Sequence, residues 1–235
     1  MRVAAWLASA ALALSALTGC TGFDAEHAKD VSACPRSAAP SYVVKTVLPD
    51  PKIDNTMTIA QIGDRSQVDY RYLALGATEG GLMVVGVLNA RVAASAAGGS
   101  CAYPKNVSLV LALGKRVIHI AREFHGTEPC VYNEVLGHEE RHVALDDKLL
   151  NDASATLPAR LPMRFADLDG VWGQDDKTAR ANLQKRLKAD EDALQTDLQA
   201  ERSAAHAHDI DTIAERYRLA NACNGRLRQL YSEFH

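Results

Sequence analysis

The sequence predicts an α+β fold: a small, mostly antiparallel sheet with an edge hairpin packed on a helix, followed by two further long helices. Three observations carry this. Short apolar, β-branched runs bounded by Pro and Gly fill residues 42–124. From Val131 to Leu150 there is no Pro, and apolar residues recur at helical spacing. From Lys177 to Ala207 neither Pro nor Gly occurs, and Ala, Leu, Gln, Lys and Glu dominate, so a long helix is expected there.

Taken in order, Tyr42 to Leu48 reads as a first strand, ended by Pro49-Asp50-Pro51. Met57 to Ile62 and Asp69 to Leu75 are weaker strand candidates. Leu82 to Val92 is a stronger one, set between Gly80-Gly81 and Gly98-Gly99. The Ala-rich stretch 93–97 fits a strand end or a helical turn equally. Val107 to Leu113 and Arg116 to Phe124 read as a hairpin about Gly114-Lys115, a two-residue turn with positive φ at its first position. In its second strand Ile118, Ile120 and Phe124 share one face, and His119 and Glu123 the other. Asn151 to Asp175 reads as a linker because it holds Pro158 and Pro162 and ends in Gly170-Val171-Trp172-Gly173. Asp211-Thr212 suits the cap of a last helix reaching Cys223 or beyond, and a break fits at Asn224-Gly225.

The helix over 131–150 carries His138-Glu139-Glu140-Arg141-His142, an H-E-x-x-H string. Residues four apart on a helix stand on one face, with Cβ atoms about 5–6 Å apart. Two imidazoles so placed can share one zinc ion at about 2.0–2.1 Å per nitrogen. Glu139 is turned about 100° from His138, beside the ion, where a general base for an activated water belongs. Val131, Val135, Leu145 and Leu149 fall on the histidine side, so the pair is expected to face the interior.

The third ligand has to come from elsewhere. Asp146 continues the i, i+4, i+8 series but lies about 12 Å along the axis from His138, too far for one ion on a straight helix. On the long helix Leu183, Leu187, Leu194 and Leu198 form an apolar stripe, and Glu191 and Glu201 fall within about 50° of its centre. A buried carboxylate needs a partner. With the two helices antiparallel, Glu191 comes level with the His pair and is the expected third ligand, Glu201 next. An interhelical salt bridge is the competing role for Glu191. His206, His208, Asp209 and Asp211, at the junction of the last two helices, supply a ligand instead if that junction folds back over the site.

The first residues are read as a targeting segment. Met1-Arg2 is a short positive start, and Val3 to Leu17 is almost wholly Ala, Leu, Ser and Trp. Leu17-Thr18-Gly19-Cys20 resembles the lipobox of bacterial lipoprotein signal peptides. That resemblance implies cleavage before Cys20, diacylglyceryl modification of Cys20 and a lipid-anchored protein with a water-soluble body. Thr21 in place of Asp points to the outer membrane, periplasmic face. Residues 20–40, with Pro35 and Pro40, look like a tether.

Cleavage leaves 216 residues (235 − 19), and loss of Arg2 takes the net charge from −3 to −4. No basic surplus exists to neutralise phosphates, so nucleic acid is not an expected partner. Cys34, Cys101, Cys130 and Cys223 remain, an even number that in an exported chain reads as two disulfides. No Cys-x-x-Cys occurs, which disfavours a Cys-rich zinc site. Cys101 and Cys130 lie nearly equidistant from the Gly114-Lys115 turn, which favours a bridge between them and leaves Cys34 with Cys223. The rival pairing joins Cys130 to Cys223.

A strand hairpin followed at once by an H-E-x-x-H helix resembles the zincin metallopeptidases, over roughly residues 106–152. Ile120-Ala121-Arg122-Glu123-Phe124, Cys130 and Leu136-Gly137-His138-Glu139 are also similar to uncharacterised secreted zinc proteases of bacteria. The resemblance implies a single zincin-like domain over 41–235, its C-terminal helical part at 176–235. It implies His138 and His142 as zinc ligands, Glu139 as base, and extended peptide or protein substrate paired to the sheet edge. The chain departs from the pattern at the third ligand. Metzincins have His six residues after the second His, where this chain has Lys148, and no string like the gluzincin Glu motif follows.

The expected function is a lipid-anchored zinc peptidase or amidohydrolase of the cell envelope, with Tyr217, Tyr231, His119 or Arg141 as oxyanion partner. Two other classes stand beside it. One is a metal-binding envelope lipoprotein without hydrolysis; the other is an interaction scaffold using the helix 177–207.

Overall fold

A computed structural model describes residues 34–66 and 74–233. The fold is α+β. Strands β1 (Ser41–Val47), β2 (Lys52–Asp54), β3 (Gly76–Glu79), β4 (Leu82–Ala94), β5 (Ser100–Leu113), β6 (Val117–Ile120) and β7 (Val171–Gly173) combine with helices α1 (Ile59–Ser66), α2 (Pro129–Arg164), α3 (Asp176–Asp209) and α4 (Ile213–Glu233). Among the described residues no helix is long and apolar enough to cross a membrane. The expected signal peptide, Cys20 and the first part of the tether lie outside the described residues. The tether's end, by contrast, is fastened: Cys34 is bonded to Cys101, and the Ser37 amide donates to Asp169 Oδ1 at 3.0 Å.

Two sheets form. In the first, β5 is central, with β1 parallel on one side and β4 antiparallel on the other; β7 pairs with the start of β5. In the second, β6 lies between β2 (parallel) and β3 (antiparallel). The hairpin expected about Gly114-Lys115 is therefore a crossing between sheets. The Gly114 amide donates to Gly81 O at 2.8 Å, and Arg116, 3% exposed, donates to the Pro49 and Val143 carbonyls and pairs with Asp147. This buried cation pins the crossing, and a flat two-residue turn cannot form there. The true hairpin joins β4 to β5, turned by Gly98 and Gly99 at φ +84° and +78°. β5 starts at Ser100 rather than Val107, because Pro104 sits at the register shift opposite Ala90, where a missing amide is tolerated.

The expected strand at 57–62 is helical. Thr58 Oγ1 accepts from the Gln61 amide at 3.1 Å and Gln61 Oε1 accepts from the Thr58 amide at 2.9 Å, a reciprocal capping box that starts α1 and buries Ile59 and Ile62. Of the strand expected over 69–75, residues 69–73 lie outside the described residues. The linker expected from Asn151 is also overturned. α2 continues through Pro158 and Pro162 to Arg164, although each proline removes an intrahelical hydrogen bond. Leu157, Leu161 and Phe165 are nearly fully buried, and that apolar burial outweighs the lost bonds.

Among the described residues the core has two large parts and a small cluster of Cys34, Cys101 and Tyr103. Leu109, Leu111, Leu150, Leu161, Leu183 and Leu187 represent the one under the first sheet; Ile118, Ile120, Phe124, Val131, Val135 and Leu227 represent the one around the second. α2 contributes to both. Of the two cysteine pairings weighed, the structure adopts the rival: Cys34–Cys101 and Cys130–Cys223, with Cα atoms 5.6 and 5.8 Å apart. The equidistance argument for Cys101–Cys130 fell with the hairpin it assumed. Cys223 lies at the break in α4, where Cys223, Asn224 and Gly225 all take positive φ.

Candidate metal centre

α2 buries Val131 and Val135 in the second core and Leu150, Leu157 and Leu161 in the first. Between them, His138, His142 and Asp146 form a polar seam one turn apart. Buried polar groups have to be satisfied from outside the helix. Here the C-terminal end of α3 and the first turn of α4 cover them, joined at Ile210–Thr212. Ile210 is buried, and Thr212 caps α4 by accepting from the Glu215 amide at 3.1 Å. The Thr212–Glu215 spacing is the S/T-x-x-E signature of a helix start.

This junction carries Asp211 to the His pair. His138 Nε2 and His142 Nε2 are 3.2 Å apart, and Asp211 Oδ1 is 3.6 Å from the first and 3.3 Å from the second. A tetrahedral ion with ligands at about 2.0–2.1 Å spaces them about 3.3 Å apart, so the triangle has the dimensions of three corners of such a set. The surrounding charge agrees. Burial alone would lower the His138 pKa, but Asp211, Glu139 and Glu215 outweigh it and raise it. Burial alone would raise the Asp211 pKa, but the two imidazoles hold it far below the usual carboxylate range. The centre favours positive charge, and two imidazoles and a carboxylate are electron-pair donors of the kind that a divalent cation accepts.

Around this triangle the first turn of α4 is bound to α2. Glu215 lies 3.4 Å from His138 Nδ1, pairs with Arg141, and accepts from Arg218, which also donates to Glu134 at 2.7 Å. Glu139 points to the other side, towards β3. It is 5% exposed, accepts from the Thr78 hydroxyl at 2.8 Å, and has its pKa raised by burial. A Cβ on Gly76 would stand 2.7 Å from Val135 Cγ1 and 2.9 Å from Glu139 Oε1, so the helix approaches this strand only because residue 76 has no side chain. Thr78 carries no sequence motif that marks it in advance; Glu215 is marked only as the last residue of the Thr212-x-x-Glu215 helix start.

Glu191 is not brought to the pair. Fifteen residues of α3 separate it from His206, about 22 Å at roughly 1.5 Å per residue. α3 does run antiparallel to α2, with His206 beside His142, Arg202 beside Asp146 and Asp197 beside Arg164, but in this register His206 rather than Glu191 comes level with the His pair. Glu191 instead covers the outer edge of β4. Burial raises its pKa, offset in part by Lys188 and by a hydrogen bond from the Gly86 amide. Gln195 accepts from the Val84 amide and Arg180 donates to the Ala90 carbonyl along the same edge. Polar side chains of α3 thus satisfy a strand edge that has no neighbouring strand among the described residues.

The remaining candidates separate widely. Glu201 stands beside Asp146 and Arg202, away from the triangle. His119 lies in the second sheet, 3.2 Å from Asp54 and 3.3 Å from Glu79. His208 pairs with Asp209 on the surface, and Tyr217 is exposed. The Tyr231 side chain lies outside the described residues. Set against known protein families, curated protein sequences and solved structures, the chain matches none.

Proposed function

We propose that this chain is a zinc-dependent peptidase or amidohydrolase of the cell envelope, held to the membrane by a lipid on Cys20. Zinc is held by His138, His142 and Asp211. The observation that carries the reading is the triangle of Nε2, Nε2 and Oδ1 atoms, 3.2, 3.3 and 3.6 Å on edge, with an acidic residue between the two histidines in sequence. When bound, zinc lowers the pKa of a coordinated water towards about 7 and polarises a carbonyl. Glu139 takes the proton from the attacking water and delivers it to the leaving amine. Thr78 keeps one carboxylate oxygen of Glu139 turned to β3 by its hydrogen bond. β3 borders the second sheet, and among the described strands only β6 pairs with it, so its outer edge suits an extended peptide.

A second reading has one observation in its favour. Glu139 is buried and already engaged by Thr78, which suits a packed carboxylate in a metal-binding module without turnover. Metal analysis of the purified soluble domain, with hydrolysis of a peptide library, separates the two. The wild type is expected to carry one zinc and to cleave; His142→Ala loses both; Glu139→Gln keeps zinc and loses at least about 100-fold in turnover. Zinc without cleavage in the wild type leaves the module reading. A Glu139→Gln variant as fast as the wild type removes Glu139 from the mechanism.

A further inference from the structure

We infer that His206 is the positioning partner of His142, and that Asp146 and Arg202 complete a relay setting which nitrogen His142 presents to the metal. This rests on the metal reading above, while the hydrogen bond between His206 and Asp146 stands on geometry of its own. His142 Nε2 belongs to the ligand triangle. Its other nitrogen, Nδ1, lies 2.6 Å from His206 Nδ1; the ring planes are within 25° of each other and the centroids are 4.8 Å apart, so the rings meet nearly end to end. His206 Nε2 lies 2.7 Å from Asp146 Oδ1. Arg202 donates to both Asp146 oxygens, at 2.6 and 2.7 Å.

The chain of hydrogen bonds starts from its buried end. Asp146 is 2% exposed and clamped by a guanidinium fork, so it is an acceptor only. His206 Nε2 must therefore carry a hydrogen. With a cation on the triangle, His142 Nε2 is the bare nitrogen, so His142 Nδ1 carries the hydrogen and donates to His206 Nδ1. A ligand histidine usually gives its other N–H to a carboxylate or carbonyl. Here a second imidazole stands between ligand and carboxylate, because Asp146 lies one turn further along α2 and does not touch the His142 ring. Positions 142 and 146 on α2 and 202 and 206 on α3 are each one turn apart, so the relay is also a ladder between the two helices. The part of the sequence pattern too far from the triangle to bind an ion, Asp146, thus gains a role.

Two measurements test this. First, zinc affinity by competition with a chromophoric chelator, with folding followed by circular dichroism, for His206→Leu and His206→Gln. Leu removes acceptor and donor; Gln restores one of each. Loss of about 10–100-fold in His206→Leu, mostly recovered in His206→Gln, is the expected result for an outer-shell partner. A folded His206→Leu that holds zinc as tightly as the wild type overturns the inference. Second, ¹⁵N spectra of the histidine rings in the metal-free wild type are expected to show a hydrogen on His206 Nε2, held by Asp146. A bare His206 Nε2 overturns the relay. These spectra need no zinc, so a wild type that takes up no metal refutes the metal reading alone and leaves the relay to be judged by its tautomers.

Discussion

Asp211 and Glu191 are both carboxylates on or beside α3, and their surroundings give them opposite tasks. Asp211 faces two imidazoles and completes a donor triangle; Glu191 faces the backbone of a strand. Asp211→Ala is therefore expected to weaken zinc binding by more than about 100-fold, beyond the about 10–100-fold of a supporting residue, while Glu191→Gln leaves it unchanged. Chelator competition on the two variants checks this, and the reverse order would restore Glu191 as the ligand. Asp146 makes a separate, pH-dependent contribution. Burial works against its charge, but hydrogen bonds from His206 and Arg202 outweigh this and hold its pKa below the ordinary value, with Glu201 the other titratable group beside it. A carboxyl depressed in the folded state stabilises above its unfolded pKa of about 3.9 and loses that contribution as the pH falls through its folded value. Denaturant unfolding should show Asp146→Asn less stable than wild type by about 2–4 kcal/mol at pH 7. The gap should close as the pH falls below about 4. A gap that widens on acidification would contradict the sign.

At the scale of elements, what the sequence made legible was local. The Pro-free, Gly-free run from Lys177 specifies α3 almost to the residue, and Asp211-Thr212 marks the start of α4. α1 was equally local, and was missed because Thr58-x-x-Gln61 reads as a capping box only once Ile59 and Ile62 are treated as i, i+3 neighbours. The sheets were not legible. Gly114-Lys115 has the composition of a turn, and only the burial of Arg116 against Pro49, Val143 and Asp147 sends the chain into a second sheet. Pro158 and Pro162 signal a helix end locally and are overruled by distant packing. The site divides in the same way. The His pair and Glu139 follow from spacing, whereas the third donor depends on where α3 ends and how α4 is held. Cys130–Cys223 does part of that holding, tying the start of α2 to the break in α4. Replacing both by Ser should cost about 2–4 kcal/mol and also weaken zinc binding, because the α4 turn carrying Glu215 and following Asp211 is loosened. Replacing Cys34 and Cys101, which fasten the chain to the far end of β5, should cost stability alone. Equal zinc affinity in the two double variants would separate the disulfide from the site.

At the scale of the molecule, α2 is, among the described residues, the one element shared by both large parts of the core. Its 36 residues, about 54 Å at roughly 1.5 Å each, enter the second core at Val131 and leave the first at Leu161. The donor triangle sits where the helix passes from one to the other, and its third corner lies on the connection between α3, which packs on the first sheet, and α4, which packs in the second core. A cation bound there bridges the two halves without any change of fold. Ligand bound only by the folded state adds about 4 kcal/mol at a free concentration near 1,000 times Kd. For a chain of this size each kcal/mol moves Tm by about 2–4 °C, so zinc should raise the wild-type midpoint by roughly 8–16 °C, a chelator should reverse the rise, and His142→Ala should show none. Where the gain falls is the sharper test. Hydrogen exchange should slow chiefly over residues 202–218 and the middle of α2, with little change in the β4–β5 hairpin, because the ion adds cross-links only at the seam. Slowing spread evenly over the molecule, or retained in His142→Ala, would mean that the cation binds surface carboxylates and that the seam is held by its protein contacts alone.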